Sequence, residues 1–125
     1  MKIKNRNITT TEIGAITEKI AFEHLCENGL RFITQNFHSY QGEIDLIMQD
    51  QHTLVFVEVK YRKSTGFGGA ISAISYSKQQ KIKRCAAFYM QQSGLKEYNT
   101  PCRFDVVTLE GHLNQLQITW LKNAF

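Results

Sequence analysis

Asp45, Glu58 and Lys60 are the residues whose types and spacing could do chemistry together. Asp45 sits in Gly42-Glu43-Ile44-Asp45-Leu46-Ile47 and the other two in Val55-Phe56-Val57-Glu58-Val59-Lys60, segments that alternate in the strand period of two. If Gln51 and His52 form a two-residue turn between them, Asp50 pairs with Thr53, and counting back places Asp45 opposite Glu58 and Glu43 opposite Lys60. A four-residue loop gives the same register, whereas an odd loop length destroys it. Directly opposed residues have Cβ atoms about 4.5–5.5 Å apart, so two carboxylates would share one face and repel. Magnesium takes oxygen ligands in an octahedron, and one or two protein carboxylates suffice when phosphate and water complete the shell. An ion held there, with manganese as a substitute, would relieve the repulsion, polarise a phosphodiester and lower the pKa of an attacking water. Lys60 could then position that water or offset charge building on phosphorus. The alternative is a cross-strand charge cluster in which Lys60 and Arg62 neutralise the carboxylates without a metal.

Those residues need a scaffold, and the surrounding sequence supplies its signals. Thr9-Thr10-Thr11-Glu12 has capping-box spacing and Asn28-Gly29 is a stop signal, which bracket a first helix over 10–27. Glu18 precedes Ala21, Phe22 and Leu25 by three, four and seven residues, so its carboxylate lies on their inward side; the bland reading is a boundary glutamate reaching water. Strands are predicted over 30–37, 43–48 and 53–62. In the third, Val55, Val57 and Val59 point to one face and Phe56, Glu58, Lys60 and Arg62 to the other. A Gly-rich loop follows over 64–70, close to the charged face and without the Gly-Lys-Ser/Thr of a phosphate-cradling motif. A second helix is predicted from near Ser77, capped through Gln80, to Ser93-Gly94, burying Ile82, Cys85, Ala86 and Tyr89. Lys78 lies on that side one turn earlier, with Lys81 and Arg84 toward other faces. Two strands, over 102–109 and 113–121, close the chain around Glu110-Gly111-His112.

Charge divides the chain. Eight of the 11 acidic residues lie between Glu12 and Glu58, whereas 59–96 holds Lys60, Arg62, Lys63, Lys78, Lys81, Lys83, Arg84 and Lys96 and no acid. A surface built from that block would attract a polyanion by counterion release, which makes nucleic acid the expected partner. A solvated helix face is the competing reading, and an acidic lipid surface fits less well because the helix lacks a large apolar face. With 125 residues, 42% of them hydrophobic and one proline, the chain has the size and composition of a single globular domain. No apolar run approaches the roughly 20 residues of a membrane helix, and the basic start runs into threonines and Glu12 where a signal peptide would be apolar. A cytoplasmic protein with no membrane association is therefore expected. Cys26, Cys85 and Cys102 form no C-x-x-C pair and read as small core residues; the four histidines are scattered and read as surface or loop residues.

The two strand segments resemble the D…E-x-K signature of the PD-(D/E)xK nuclease superfamily. The chain more closely resembles the YraN-like family of small bacterial predicted endonucleases, related to archaeal Holliday-junction resolvases. The likeness runs over nearly the whole chain. It takes in Glu18-x-x-Ala21-x-x-x-Leu25, Phe67-Gly68, Lys78, Ala86-Ala87-x-Tyr89, Arg103-Phe104-Asp105-Val106-Val107 and Asn123-Ala124-Phe125. The resemblance implies an α/β restriction-endonuclease-like core, a central mixed β-sheet flanked by helices in the order helix-strand-strand-strand-helix-strand-strand. It implies a Mg2+-dependent DNA endonuclease acting on substrates that include branched or junction DNA, with metal ligation by Asp45 and Glu58, a catalytic Lys60 and an accessory carboxylate at Glu18. Arg62, Lys63, Lys78, Lys81 and Arg84 are the expected nucleic-acid contacts. Related resolvases cut two strands symmetrically, which favours a homodimer, although no interface motif stands out. Two departures bear on loop contacts and substrate preference. Thr17 stands where the family commonly has Gly, and Gly69-Ala70-Ile71-Ser72-Ala73 where it usually has Pro and an acidic or amide residue. A non-catalytic nucleic-acid-binding protein of DNA repair or recombination is the alternative function, and a protein-interaction module a third.

Overall fold

The computed structural model describes residues 7–63 and 74–125; the Gly-rich segment and Phe67-Gly68 lie outside them. The chain forms helix α1 (Thr10–Glu27), strands β1 (Arg31–Ser39), β2 (Gly42–Asp50) and β3 (Thr53–Arg62), helix α2 (Tyr76–Gln92), a short 3-10 turn (Glu97–Asn99), and strands β4 (Cys102–Glu110) and β5 (Gln117–Leu121). The five strands lie in sequence order in one sheet. β3 and β4 are parallel and the other neighbours antiparallel. A parallel pair needs a long crossover, and α2 supplies it. This mixed sheet with helices on both faces is the α/β architecture expected of a restriction-endonuclease-like core.

Alternation along the strands assigns the two faces. Leu46, Met48, Val55, Val57, Val107 and Leu109 pack with Ala21 and Leu25 of α1. Ile47, Phe56 and Val106 pack with Ile82, Cys85, Ala86 and Met90 of α2. The β2–β3 turn has the two-residue form, with Asp50 opposite Thr53; Gln51 takes the positive φ of 56° that glycine would otherwise supply.

The Thr9 capping box forms as the spacing predicts: its hydroxyl accepts the Glu12 N–H at 3.1 Å and its own N–H donates to the Glu12 carboxylate. At α2 the cap is Ser75 rather than Ser77. Ile74 is buried in the core just before it, Ser75 is extended (φ −65°, ψ 158°), and its hydroxyl accepts the Lys78 N–H at 3.1 Å. Met90 rather than Tyr89 completes the fully buried stripe of α2, with Tyr89 partly covered beside Phe37 and Phe56. β5 is shorter than predicted because residues 111–116 are spent on the connection, where Gly111 (φ 106°) donates to the Arg62 carbonyl and Gln115 to that of His112. Cys85 is a core residue, but Cys26 and Cys102 are exposed, since they lie at the end of α1 and the first position of β4.

Candidate active site

Paired register between β2 and β3 runs from Asp50–Thr53 to Leu46–Val57 and stops there. β2 continues along β1 as far as Gly42, and β3 continues along β4 as far as Arg62, so the strands diverge just before the expected Asp45–Glu58 pair. At that fork the alternation of β2 breaks: Ile44 joins the α2 face with Ile47, although Leu46 between them lies on the α1 face. The Asp45 carboxylate occupies the break and accepts the Val59 N–H at 2.8 Å, a donor that the departing strand leaves unpaired. Glu43 therefore does not reach across to Lys60 but pairs with His38 on β1, 3.2 Å from its Nδ1.

Asp45 and Glu58 are 8% and 6% exposed. Burial, then the hydrogen bond and negative charge of Glu58, push the Asp45 carboxyl up to about 8, against the opposing pull of the Val59 N–H and Lys78. Glu18, half-buried on α1, is pushed up to about 7 by burial and by the charges of Asp45 and Glu43. The cation that meets this cluster is Lys78: its Nζ lies 3.1 Å from Glu58 Oε2. Burial works hardest against the Lys78 ammonium, but the charge and hydrogen bond of Glu58 with the charges of Asp45 and Glu43 together outweigh it, and the amine rises above its ordinary value. Lys60 is exposed and shares a cleft of about 240 Å³ with Glu58, Ile74, Ser75 and Lys78. The charge cluster neutralised by Lys60 and Arg62 is thus not what forms; an α2 lysine takes that place, because Lys60 is exposed while the first turn of α2 brings Lys78 onto Glu58.

Among the described residues no group of three or more His, Cys, Asp or Glu side chains is close enough to hold a metal ion. The residues that could donate to a cation are Asp45 and Glu58, hard oxygen ligands of the kind Mg2+ and Mn2+ take once deprotonated. Such a pair would need phosphate and water oxygens to complete the shell.

The basic block divides. Lys78 and Lys81 line a cleft of about 470 Å³ with Gln41, Gly42 and Glu43, and Arg84 Nε donates to Gln41 Oε1 at 2.8 Å, so three cations of α2 face the β1–β2 turn beside the site. Arg62 ends β3 opposite Glu110, with Lys63 exposed after it. Lys83 instead lies 5.9 Å from the ring centroids of both Phe104 and Phe125, away from this track.

Asp105 is a buried charge that spacing alone did not single out. Its fully buried carboxylate accepts from Arg103 Nε (3.0 Å), Trp120 Nε1 (3.0 Å) and the Asn123 N–H (2.9 Å), while Arg103 Nη1 reaches Asp50 at 2.9 Å. Every partner belongs to the sheet, its turns or the closing segment, so the network ties β4 to the β2–β3 turn and the carboxyl-terminal residues. Its signals in the sequence were an acid set in an apolar strand and its place in the Arg103-Phe104-Asp105-Val106-Val107 segment of the family resemblance. Thr17 is likewise buried and satisfied, donating to the Ile13 and Gly14 carbonyls at 2.9 and 3.2 Å, so a threonine is accommodated next to Glu18.

Residues 17–109 match the model of the uncharacterised protein family UPF0102. A UPF0102 protein of Colwellia psychrerythraea is 64% identical over 124 residues, covering 99% of this chain and 96% of its own length. One from Legionella pneumophila is 46% identical over 116 residues (93% and 96%), and one from Pseudomonas fluorescens 46% over 112 (90% and 91%).

Proposed function

The chain belongs to the uncharacterised protein family UPF0102, the YraN-like group, and from that premise we propose that it is a Mg2+-dependent endonuclease hydrolysing phosphodiester bonds in DNA. One observation carries the reading: two buried carboxylates, Asp45 and Glu58, meet where β2 and β3 diverge, with Lys60 and Lys78 at the same cleft. Burying two acids together costs stability, here as one carboxyl held protonated well above its ordinary range and one carboxylate that needs the Lys78 ammonium, and a fold gains little by keeping them without a use. Asp45 and Glu58 would hold the cation, Mg2+ or Mn2+, and when bound it would supply neutralisation of the scissile phosphate and a water of lowered pKa. Lys60, exposed beside Glu58, would orient the attacking water or meet charge on the phosphoryl oxygens. Glu18, on α1 and near enough to feel the Asp45 charge, would hold a proton or accept one from water near neutral pH. Lys78, Lys81 and Arg84 would seat the phosphate backbone, with Arg62 and Lys63 extending the positive rim.

The purified protein is incubated with supercoiled plasmid, single-stranded DNA and a four-way junction in Mg2+ and then Mn2+, with Asp45→Ala prepared identically. Metal-dependent cleavage lost in the variant supports the reading. Salt-sensitive binding without cleavage favours a second one, a non-catalytic nucleic-acid-binding protein, for which the Lys78–Glu58 ion pair speaks because it neutralises one carboxylate with no metal.

A further inference from the structure

Next to the carboxylate cluster, between α1 and the edge strand β1, the surface opens into a groove of about 770 Å³ lined by Gly14, Ala15, Glu18, Phe22, Phe32 and Asn36, among others. That volume is in the range of sites that take small organic ligands. Glu18 belongs to both the groove and the candidate active site, so whatever fills the groove lies against the cleavage centre.

The lining has a definite chemistry. Phe22 and Phe32 meet edge to face at 5.3 Å, and Phe32 is 45% exposed, so a flat aromatic surface is offered to the groove. β1 is irregular here, with a register shift between Phe32 and Thr34 and a positive φ of 50° at Asn36. Gln35 and Asn36 follow that shift in the same wall, and neither side-chain amide takes a partner among the described residues. An amide both donates and accepts, which matches the edge of a nucleobase. Lys19 at the margin offers a cation to a phosphate. Gly14 faces open space: a Cβ there would meet nothing within 4 Å.

We propose that this groove receives one unpaired nucleobase of the DNA strand being cut, stacked on Phe32 and read by the Gln35 and Asn36 amides. The substrate class is then DNA with a single-stranded stretch at the scissile phosphate, as in forks, flaps and open junctions, because a base inside continuous duplex is stacked away from such a groove. The inference rests on the nuclease reading for its substrate but not for its measurement.

Wild-type protein in EDTA, which withholds divalent cations, is titrated with forked DNA carrying 2-aminopurine at one unpaired position and with the matched continuous duplex. The forked DNA is expected to bind at least tenfold more tightly, with the 2-aminopurine signal changing at one position next to the fork. Phe32→Ala removes an exposed ring, and Gly14→Leu fills the groove while replacing a helix-interior glycine by a better helix former, so both variants should fold. Each should weaken fork binding about tenfold and leave duplex binding unchanged. Equal binding of fork and duplex, or fork binding unchanged in both variants, overturns the groove assignment. If wild-type protein cleaves DNA in Mg2+ and both groove variants bind forks as it does, the groove assignment falls and the nuclease reading stands. If base-dependent fork binding is seen and nothing is cleaved, the groove assignment stands and the nuclease reading falls.

Discussion

Lys78 Nζ lies 3.1 Å from Glu58 Oε2, and it comes to the sheet from the first turn of α2 rather than along β3. The cluster therefore holds one carboxylate with an ammonium partner and one, Asp45, held by a backbone N–H. A metal entering between them would take over the work of Lys78 as the counter-charge.

Lys78→Gln should accordingly make the protein more dependent on a divalent ion. In EDTA at pH 8 the variant loses about 1 kcal/mol of stability, less than for a fully buried pair because the ammonium is half-exposed. Added Mg2+ should recover more stability in the variant than in wild type, read as the rise in Tm. An equal rise in both would mean that lysine and metal do not compete for Glu58.

The raised carboxyl groups set a pH dependence whose sign follows from proton binding. Between the ordinary carboxylate range and the folded values of about 8 for Asp45 and about 7 for Glu18, the folded state holds more protons than the unfolded one. Stability from these groups is full below about pH 4 and is lost as pH rises to about 8. Metal-free Asp45→Asn should flatten that decline and melt higher than wild type at pH 8, since its amide oxygen can still accept the Val59 N–H. Melting curves in EDTA from pH 5 to 9 test this; parallel curves for the two proteins would contradict it.

The helices, the order of elements along the chain and the β2–β3 register next to the turn were legible because they rest on local signals: the Thr9 box, the two-residue turn and the Val55-Val57-Val59 alternation. What sequence could not reveal is where pairing ends. Extending the register past Leu46–Val57 pairs Glu43 with Lys60, whereas the strands diverge and Asp45 satisfies Val59 instead. Partner choice across elements was equally hidden. Glu58 has Lys60 two residues away, yet Lys78 reaches it because α2 crosses that face of the sheet. Asp105 gathers Arg103, Trp120 and Asn123 only once β5 and the closing residues fold back on β4.

A Lys60 variant would separate chemistry from binding. Lys60 is exposed and lines the cleft with Glu58, so Lys60→Ala should leave Tm unchanged and lower the cleavage rate about 100-fold or more. DNA affinity should fall by no more than one phosphate contact would cost. A loss of affinity that accounted for the whole rate decrease would make Lys60 a backbone contact.

The cations of α2 do not act as one block, because helical spacing sends them to different neighbours. Lys81 borders the cleft at the β1–β2 turn and Arg84 is anchored to Gln41, both beside the site, whereas Lys83 sits over Phe104 and Phe125. Each phosphate contact removed lowers the slope of log affinity against log salt by about one. Lys81→Ala and Arg84→Ala should each show that reduction, with similar weakening on every DNA sequence, and Lys83→Ala should show none. Titration of a labelled duplex at several salt concentrations reads the slopes directly. Equal slopes for all three variants would mean diffuse attraction to the helix as a whole, and the track beside Asp45 and Glu58 would then have no special role in seating the strand.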